Sequence, residues 1–250
     1  QLGKTYGYEF KSGRIYVGFR GGIGLRIKDL EARSLVSSER FEAPELDVTL
    51  SFSALLRGTI SVSRIFISRP RIHLTLERRP KALNDVSEFS FAKLITAGLA
   101  GLQSASVRQA TITVSNHPFK VQDLDFDVYP VGKDPVRLMA GMRGKVISRK
   151  EAAPFSLQGT IASDEKIVSG LSAEMKLKSG RFPLNWIPCP KSLTFNKGSG
   201  ELDMNIRATN GGSFSAEGKI FAADVHSSVL LHGREKVYSF DRLEADVVSS

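Results

Sequence analysis

The side chains that could do chemistry are few in this sequence and poorly spaced for it. Its four histidines, His73, His117, His226 and His232, form no HxH or HExxH arrangement, the spacings that bring two imidazoles onto one metal ion. His226 and His232 lie six residues apart in strand-like sequence. Cys189, the sole cysteine, sits between Pro188 and Pro190 with no CxxC partner. It reads as an inert thiol, and no internal disulfide can form. Neither a GxSxG elbow nor a GxxxxGK[ST] loop occurs, so the sequence has neither a strained serine nucleophile nor a P-loop phosphate cradle. GFRGGIG at 18–24 is followed by strand-like alternation from Leu25 and lacks the strand-then-helix setting of a dinucleotide fingerprint. Two SxxK matches, Ser90 to Lys93 and Ser163 to Lys166, carry too little information to name a nucleophile. The sequence therefore reads as non-enzymatic, with no catalytic residue, metal ligand or cofactor.

Composition leaves binding or structural roles. A hydrophobic share of 41% with 24% charged residues over 250 positions fits a folded chain rather than a disordered one. The net charge of +9 is uneven: residues 1–81 hold 15 Lys/Arg against 8 Asp/Glu, and residues 82–250 hold 20 against 18. A basic end is compatible with nucleic acid or an anionic membrane. Nucleic-acid binding would set basic side chains among exposed aromatics, as Tyr16, Phe19 and Arg20 could. Most aromatics instead occupy the apolar parity of their strands, so no nucleic-acid partner is expected. The longest clean apolar run, Leu94 to Leu102, is far short of the roughly 20 residues that span a bilayer as a helix. Starting at Gln1 without a signal-like segment and stopping just after the strand-like EADVV, the sequence is expected to be a piece of a longer protein.

The elements that would position any binding surface are strands. Leu46, Val48, Leu50 and Phe52 alternate with Glu45, Asp47, Thr49 and Ser51, the period-2 pattern of a half-buried strand. SALLRG at 53–58 turns the chain, and 59–68 runs back. A slipped spacing, apolar-x-apolar-x-x-apolar-x-apolar, occurs at Leu25, Ile27, Leu30 and Ala32. It returns at Ile60, Val62, Ile65 and Ile67, at Phe119, Val121, Leu124 and Phe126, and at Tyr238, Phe240, Leu243 and Ala245. A one-residue slip turns side chains to the other face unless a β-bulge absorbs it. Its recurrence, with an Asp in or beside three of the four, marks a degenerate supersecondary repeat. Residues 87–103 carry Phe91, Leu94, Ile95, Leu99 and Leu102 at helical steps, predicting an amphipathic helix near 87–103 that packs on the sheet or plugs its end. A short helix near 181–187 should lay Trp186 against the sheet before Pro188 stops it. The remaining strands are expected at 107–115, 119–129, 136–147, 155–162, 171–178, 199–207, 213–222, 225–232 and 237–248, antiparallel because no helix separates them.

Taken together, GLRIKDLEA, FEAPELDVTL, SALLRG and ISVSRIFISRPRIHL in residues 24–76 resemble the N-terminal region of the AsmA-like superfamily of envelope proteins, which includes the AsmA, YhdP and TamB types. Residues 182–220, with GSGELDMNI and FSAEGKI, are similar to its repeated portion. The resemblance implies a mainly β fold: a long, curved antiparallel sheet folded into an open, taco-like trough. It would comprise an N-terminal β region at 1–80, a linker and helix at 81–103, and continuing repeats of the same trough at 104–250. It also implies a periplasmic location, an inner-membrane anchor in a segment absent from this sequence, and transport of phospholipid from the inner to the outer membrane.

On this reading the partners are phospholipid acyl chains and, near the N-terminal end, the inner-membrane surface. The groove would be lined by Leu46, Val48, Leu50, Phe52, Ile60, Val62, Ile65, Ile67, Ile72, Leu74, Leu76, Ile112, Val114 and Phe126. The alternative is a structural or interaction β domain that assists outer-membrane protein assembly without a lipid groove. A filled core and an open trough alternate in the same way, so the pattern leaves both open.

Overall fold

The computed structural model describes residues 8–19, 23–35, 37–75, 102–131, 137–148, 151–163, 171–187, 189–190, 192–208, 214–231 and 234–249. The fold is mainly β, and the described residues form a single mixed sheet of 14 strands. Short strands β1 (Tyr8–Lys11) and β2 (Ile15–Gly18) lie end to end along one side of β3 (Ile23–Ser34), which pairs with β4 (Arg40–Leu50). Strands β5 (Val62–Ser68) and β6 (Arg71–Leu74) likewise share the space between β4 and β7 (Ser104–Val114). From β7 the sheet is a meander through β8 (Phe119–Pro130), β9 (Arg137–Ser148), β10 (Glu151–Ser163), β11 (Leu171–Pro183), β12 (Leu193–Ala208), β13 (Phe214–Leu231) and β14 (Arg234–Ser249). Among the described residues β14 is not joined to the edge formed by β1 and β2.

The pairing departs from a wholly antiparallel sheet at one place. β5 and β6 both run parallel to β7, and parallel neighbours require a crossover of a dozen or more residues. That connection falls in 76–101, outside the described residues, as does nearly all of the helix expected near 87–103. The short helix is present as a 3₁₀ turn at Leu184–Trp186. Its tryptophan meets Phe119 edge-on at 5.1 Å between ring centroids.

The slipped spacing has a structural counterpart in left-handed residues and bulges. Asp29, Gln109, Asp123 and Asp224 have φ between 51° and 54°, a region where Asp and Asn are among the few tolerated L-residues. Asp29 and Asp123 fall within the two slips read at 25–32 and 119–126. The slip at 238–245 lies across from Asp224, since Val225 pairs with Phe240 and Ala223 with Arg242. In the 60–67 pattern the irregularity is at Ser63, whose buried hydroxyl donates to the Thr49 carbonyl at 3.0 Å.

Cross-strand pairs share a face, so the register decides what these slips achieve. β9 runs straight from 138 to 148 and serves as a ruler: Leu138, Ala140, Met142, Val146 and Ser148 all point one way. Opposite them stand Pro130, Val128, Phe126, then, past the bulge at Asp123, Val121 and Phe119. The bulge therefore keeps the apolar residues of β8 on one face where plain alternation would have turned half of them over. The same holds in β7, where Val107 and Ala110 flank Gln109 and pair with Phe126 and Leu124. Followed through the register, the irregular positions run from Asp29 across Pro44, Arg69, Gln109 and Asp123. They continue to the bulge between Ser179 and Phe182, then to Gly198 and Asp224. Bulges bend strands and increase twist, so this line is a crease across the sheet.

Replacing Asp224 by Val should lower stability by about 1–2 kcal/mol through left-handed strain, whereas Gly or Asn there should leave the urea midpoint nearly unchanged. Equal midpoints for the Val and Gly variants would show that the crease is not held by backbone conformation.

Candidate apolar binding face

A single file of apolar residues crosses the sheet in register. Ile15, Ile27, Leu46, Ile67, Val107, Phe126, Met142, Leu157, Leu177, Met204, Gly218 and Val247 are successive partners, one from each of twelve neighbouring strands. With strands about 4.8 Å apart, the file is about 50 Å long. A second file two residues over contains Leu25, Val48, Ile65, Ala105, Val128, Ala140, Gly159, Met175 and Ile206. Beyond the crease, Phe10, Ala32, Phe41, Ile72, Ile112, Val121, Val146 and Ala153 form a third on the same face.

These files are half-buried rather than enclosed. From Ile27 to Val247 every member of the first has intermediate exposure, and Ile15 is exposed. Of the fifteen buried hydrophobic residues among those described, eight are alanines, so the larger side chains on this face are mostly left with part of their surface open. Two local clusters are closed. Val128, Leu138 and Ala140 are buried beneath Phe126, Ile161 and Met175. At the crease Phe182, Leu184, Ala222, Val225 and Ala153 pack together, with Trp186, Ile187, Phe195 and Leu202 against them. The 3₁₀ turn thus covers the apolar face at the far end of β10–β13 and leaves the first file uncovered.

Most of the residues proposed from sequence as groove lining fall on this face. Leu46, Ile67 and Phe126 belong to the first file and Val48 and Ile65 to the second, while Leu50 pairs with Val62 beside them. Ile72 pairs with Ile112 and Leu74 with Val114 beyond the crease. Phe52 and Ile60 do not join them. Phe52 opens helix α1 (Phe52–Leu56) and is 59% exposed, while Ile60 follows the helix and is 82% exposed. The alternation that ran through Leu50 ends because Ser51 caps a helix, its hydroxyl accepting from the Ala54 N–H. Leu76 lies outside the described residues. Sequence reasoning missed the closed cluster around Leu184 and Val225 and the contributions of Met142, Leu157, Leu177 and Met204 to the file. The alternation at 155–162 and 171–178 was the available signal for the middle pair.

The opposite face carries cross-strand ion pairs of both signs. Arg26 meets Asp47 at 2.8 Å and Glu45 at 3.0 Å, and Arg108 meets Asp127 at 2.7 Å. Arg143 pairs with Asp125, Lys145 with Asp123, Lys176 and Lys178 with Asp203, and Lys219 with Glu244. The Gln109 N–H, presented by its left-handed backbone, donates to Asp125 at 3.0 Å and, with Arg143, holds that carboxyl below its ordinary range. Arg108 and the Ser106 hydroxyl do the same for Asp127.

Histidine chemistry stays local. His73 bridges strands, with Nδ1 2.9 Å from Thr113 Oγ1 and Nε2 2.8 Å from Ser115 Oγ. A hydroxyl rather than a carboxylate occupies each ring nitrogen, so the ring has no acidic partner to orient it as a base for Ser115. Among the described residues, no three His, Cys, Asp or Glu side chains gather as a metal site.

Comparison with known proteins found no matching family model, no matching curated protein and no matching solved structure.

Both depressed aspartates contribute stability that is present above their unfolded pKa and lost as pH falls through the lower folded one. The thermal midpoint should therefore decline as pH is lowered below about 4, and Asp125→Asn should flatten part of that decline. An Asp125→Asn profile parallel to the parent's would remove Asp125 as a contributor.

Proposed function

We propose that the apolar face holds phospholipid acyl chains, as a segment of an AsmA-like envelope protein that passes lipid between membranes in the periplasm. The observation that carries this reading is the in-register apolar file crossing twelve strands with its side chains half-exposed. An acyl tail needs continuous apolar contact and no fixed polar partner, and each buried CH₂ contributes about 0.8 kcal/mol. A tail lying across several strands meets such contact at every step, and so does the next position along. That uniformity suits a carrier along which lipid slides better than a pocket that fixes one molecule.

Three features support the reading together. The face has no second sheet packed on it among the described residues, whereas a sandwich buries its inner faces against each other about 10 Å apart. The crease keeps apolar residues on one side across the width of the sheet and would bend it toward a trough. The opposite, mixed-sign polar face offers solvent a surface without a single-sign stripe, so the apolar side is the one left for lipid tails.

Native mass spectrometry of the purified chain should find phospholipid bound. Leu157→Asp and Leu177→Asp, placed in the middle of the file, should abolish that occupancy while circular dichroism and the urea midpoint stay close to the parent's. Collapse of the fold on either substitution, or a lipid-free parent chain, would instead favour the structural β domain with a filled core.

A further inference from the structure

The tip formed by α1 and the chain that follows it is held by its cap, its backbone hydrogen bonds and Ala54, leaving Phe52, Leu56 and Ile60 free of that role. Ser51 caps the helix, Gly58 turns out of it with φ +71°, and Thr59 returns to donate through both its N–H and its hydroxyl to the Ala54 carbonyl at 3.0 Å. Ala54 is the buried anchor. Phe52 and Leu56, four apart and so on one side of the helix, are 59% and 74% exposed, and Ile60 is 82% exposed. The neighbouring strand end adds another. Gly18 pairs with Gly24, and Ile23 with Leu50, so Phe19, 79% exposed, leaves the sheet at the same end as α1.

Charge around this tip differs from that of the rest of the sheet. Arg57 follows the helix and Arg64 lies near the start of β5, opposite Thr49 close to the end of β4, and residues 48–64 contain no Asp or Glu. Among the described residues no carboxylate lies within ion-pairing distance of Arg57 or Arg64, whereas Arg26, Arg108, Arg143, Lys145 and Lys176 are each matched across strands. Exposed aromatic and aliphatic side chains beside unpaired arginines match the chemistry of a bilayer interface, with an apolar layer beneath anionic headgroups. A nucleic-acid partner would use the arginines and leave Leu56 and Ile60 in water.

We propose that this end of the sheet is a membrane-docking tip that sets Phe52, Leu56 and Ile60 into the headgroup boundary of an anionic bilayer, with Arg57 and Arg64 on the lipid phosphates. The tip requires only a bilayer and does not depend on the apolar face carrying lipid.

Flotation of the whole chain with vesicles tests it. The parent chain should float with phosphatidylcholine vesicles containing phosphatidylglycerol, and much less with phosphatidylcholine alone or in high salt. Leu56→Ser with Ile60→Ser should weaken partitioning by at least about tenfold, and Arg57→Gln by about fivefold, with unchanged circular dichroism. Leu157→Asp, on the apolar face, should float as the parent does. Unchanged flotation of the Leu56/Ile60 double variant, failure of the parent chain to float, or loss of flotation in Leu157→Asp alone would each overturn the tip. None of these results depends on whether lipid is found in the purified protein.

Discussion

The sheet depends on one geometrical constraint: its apolar side chains must stay on one face although most strands change parity part-way along. Alternation is fixed by the pleat, so the change has to come from the backbone. Here it comes from single residues in the left-handed region, of which Asp29, Asp123 and Asp224 are aspartates. Such residues cost of order 1 kcal/mol each outside glycine, and they persist because neighbouring strands fix them. Gln109 and Asp123 flank the same β7–β8 junction, one bulging each strand in turn, so that register is recovered within a few residues. Among the described strands β9 and β10 cross the line without a parity change.

The two faces contribute differently. The ion pairs on the polar side are largely exposed, and pairs of that kind contribute between nothing and about 1 kcal/mol apiece. Their larger effect is on register. Sliding β11 by one residue against β12 would carry Lys176 and Lys178 away from Asp203 and turn Leu177 off the apolar file. On the apolar side, surface left open forgoes about 25 cal/mol for every Å² not removed from water. A sheet that keeps a 50 Å file in that condition gains stability when something apolar covers it.

The sequence was legible where local pattern decides structure. The alternation at 46–50 and the slips at 28–29 and 122–123 fall where the backbone places strands and left-handed aspartates. It was less legible where a local pattern has two solutions. Phe52 continues the parity of Leu50 but begins a helix, because the Ser51 cap competes with the strand at that point. The two strands read at 213–222 and 225–232 are one, β13, since Asp224 shifts the phase without stopping the pairing. β12 begins at Leu193, six residues before the strand expected at 199, because Gly198 interrupts the alternation there. The parallel placement of β7 beside β5 and β6 had no local signal at all. It is set by a long connection, and its order in the sheet is a property of tertiary packing.

β14 has sixteen residues and β13 eighteen, so the sheet lengthens toward that edge instead of tapering as terminal strands commonly do. Because the apolar file advances by one residue per strand, its extent is a count of strands and nothing else. Each hairpin inserted in register would extend it by about 10 Å and leave every existing contact as it was. A fold of this kind can be lengthened in evolution by duplicating a unit rather than redesigning a site.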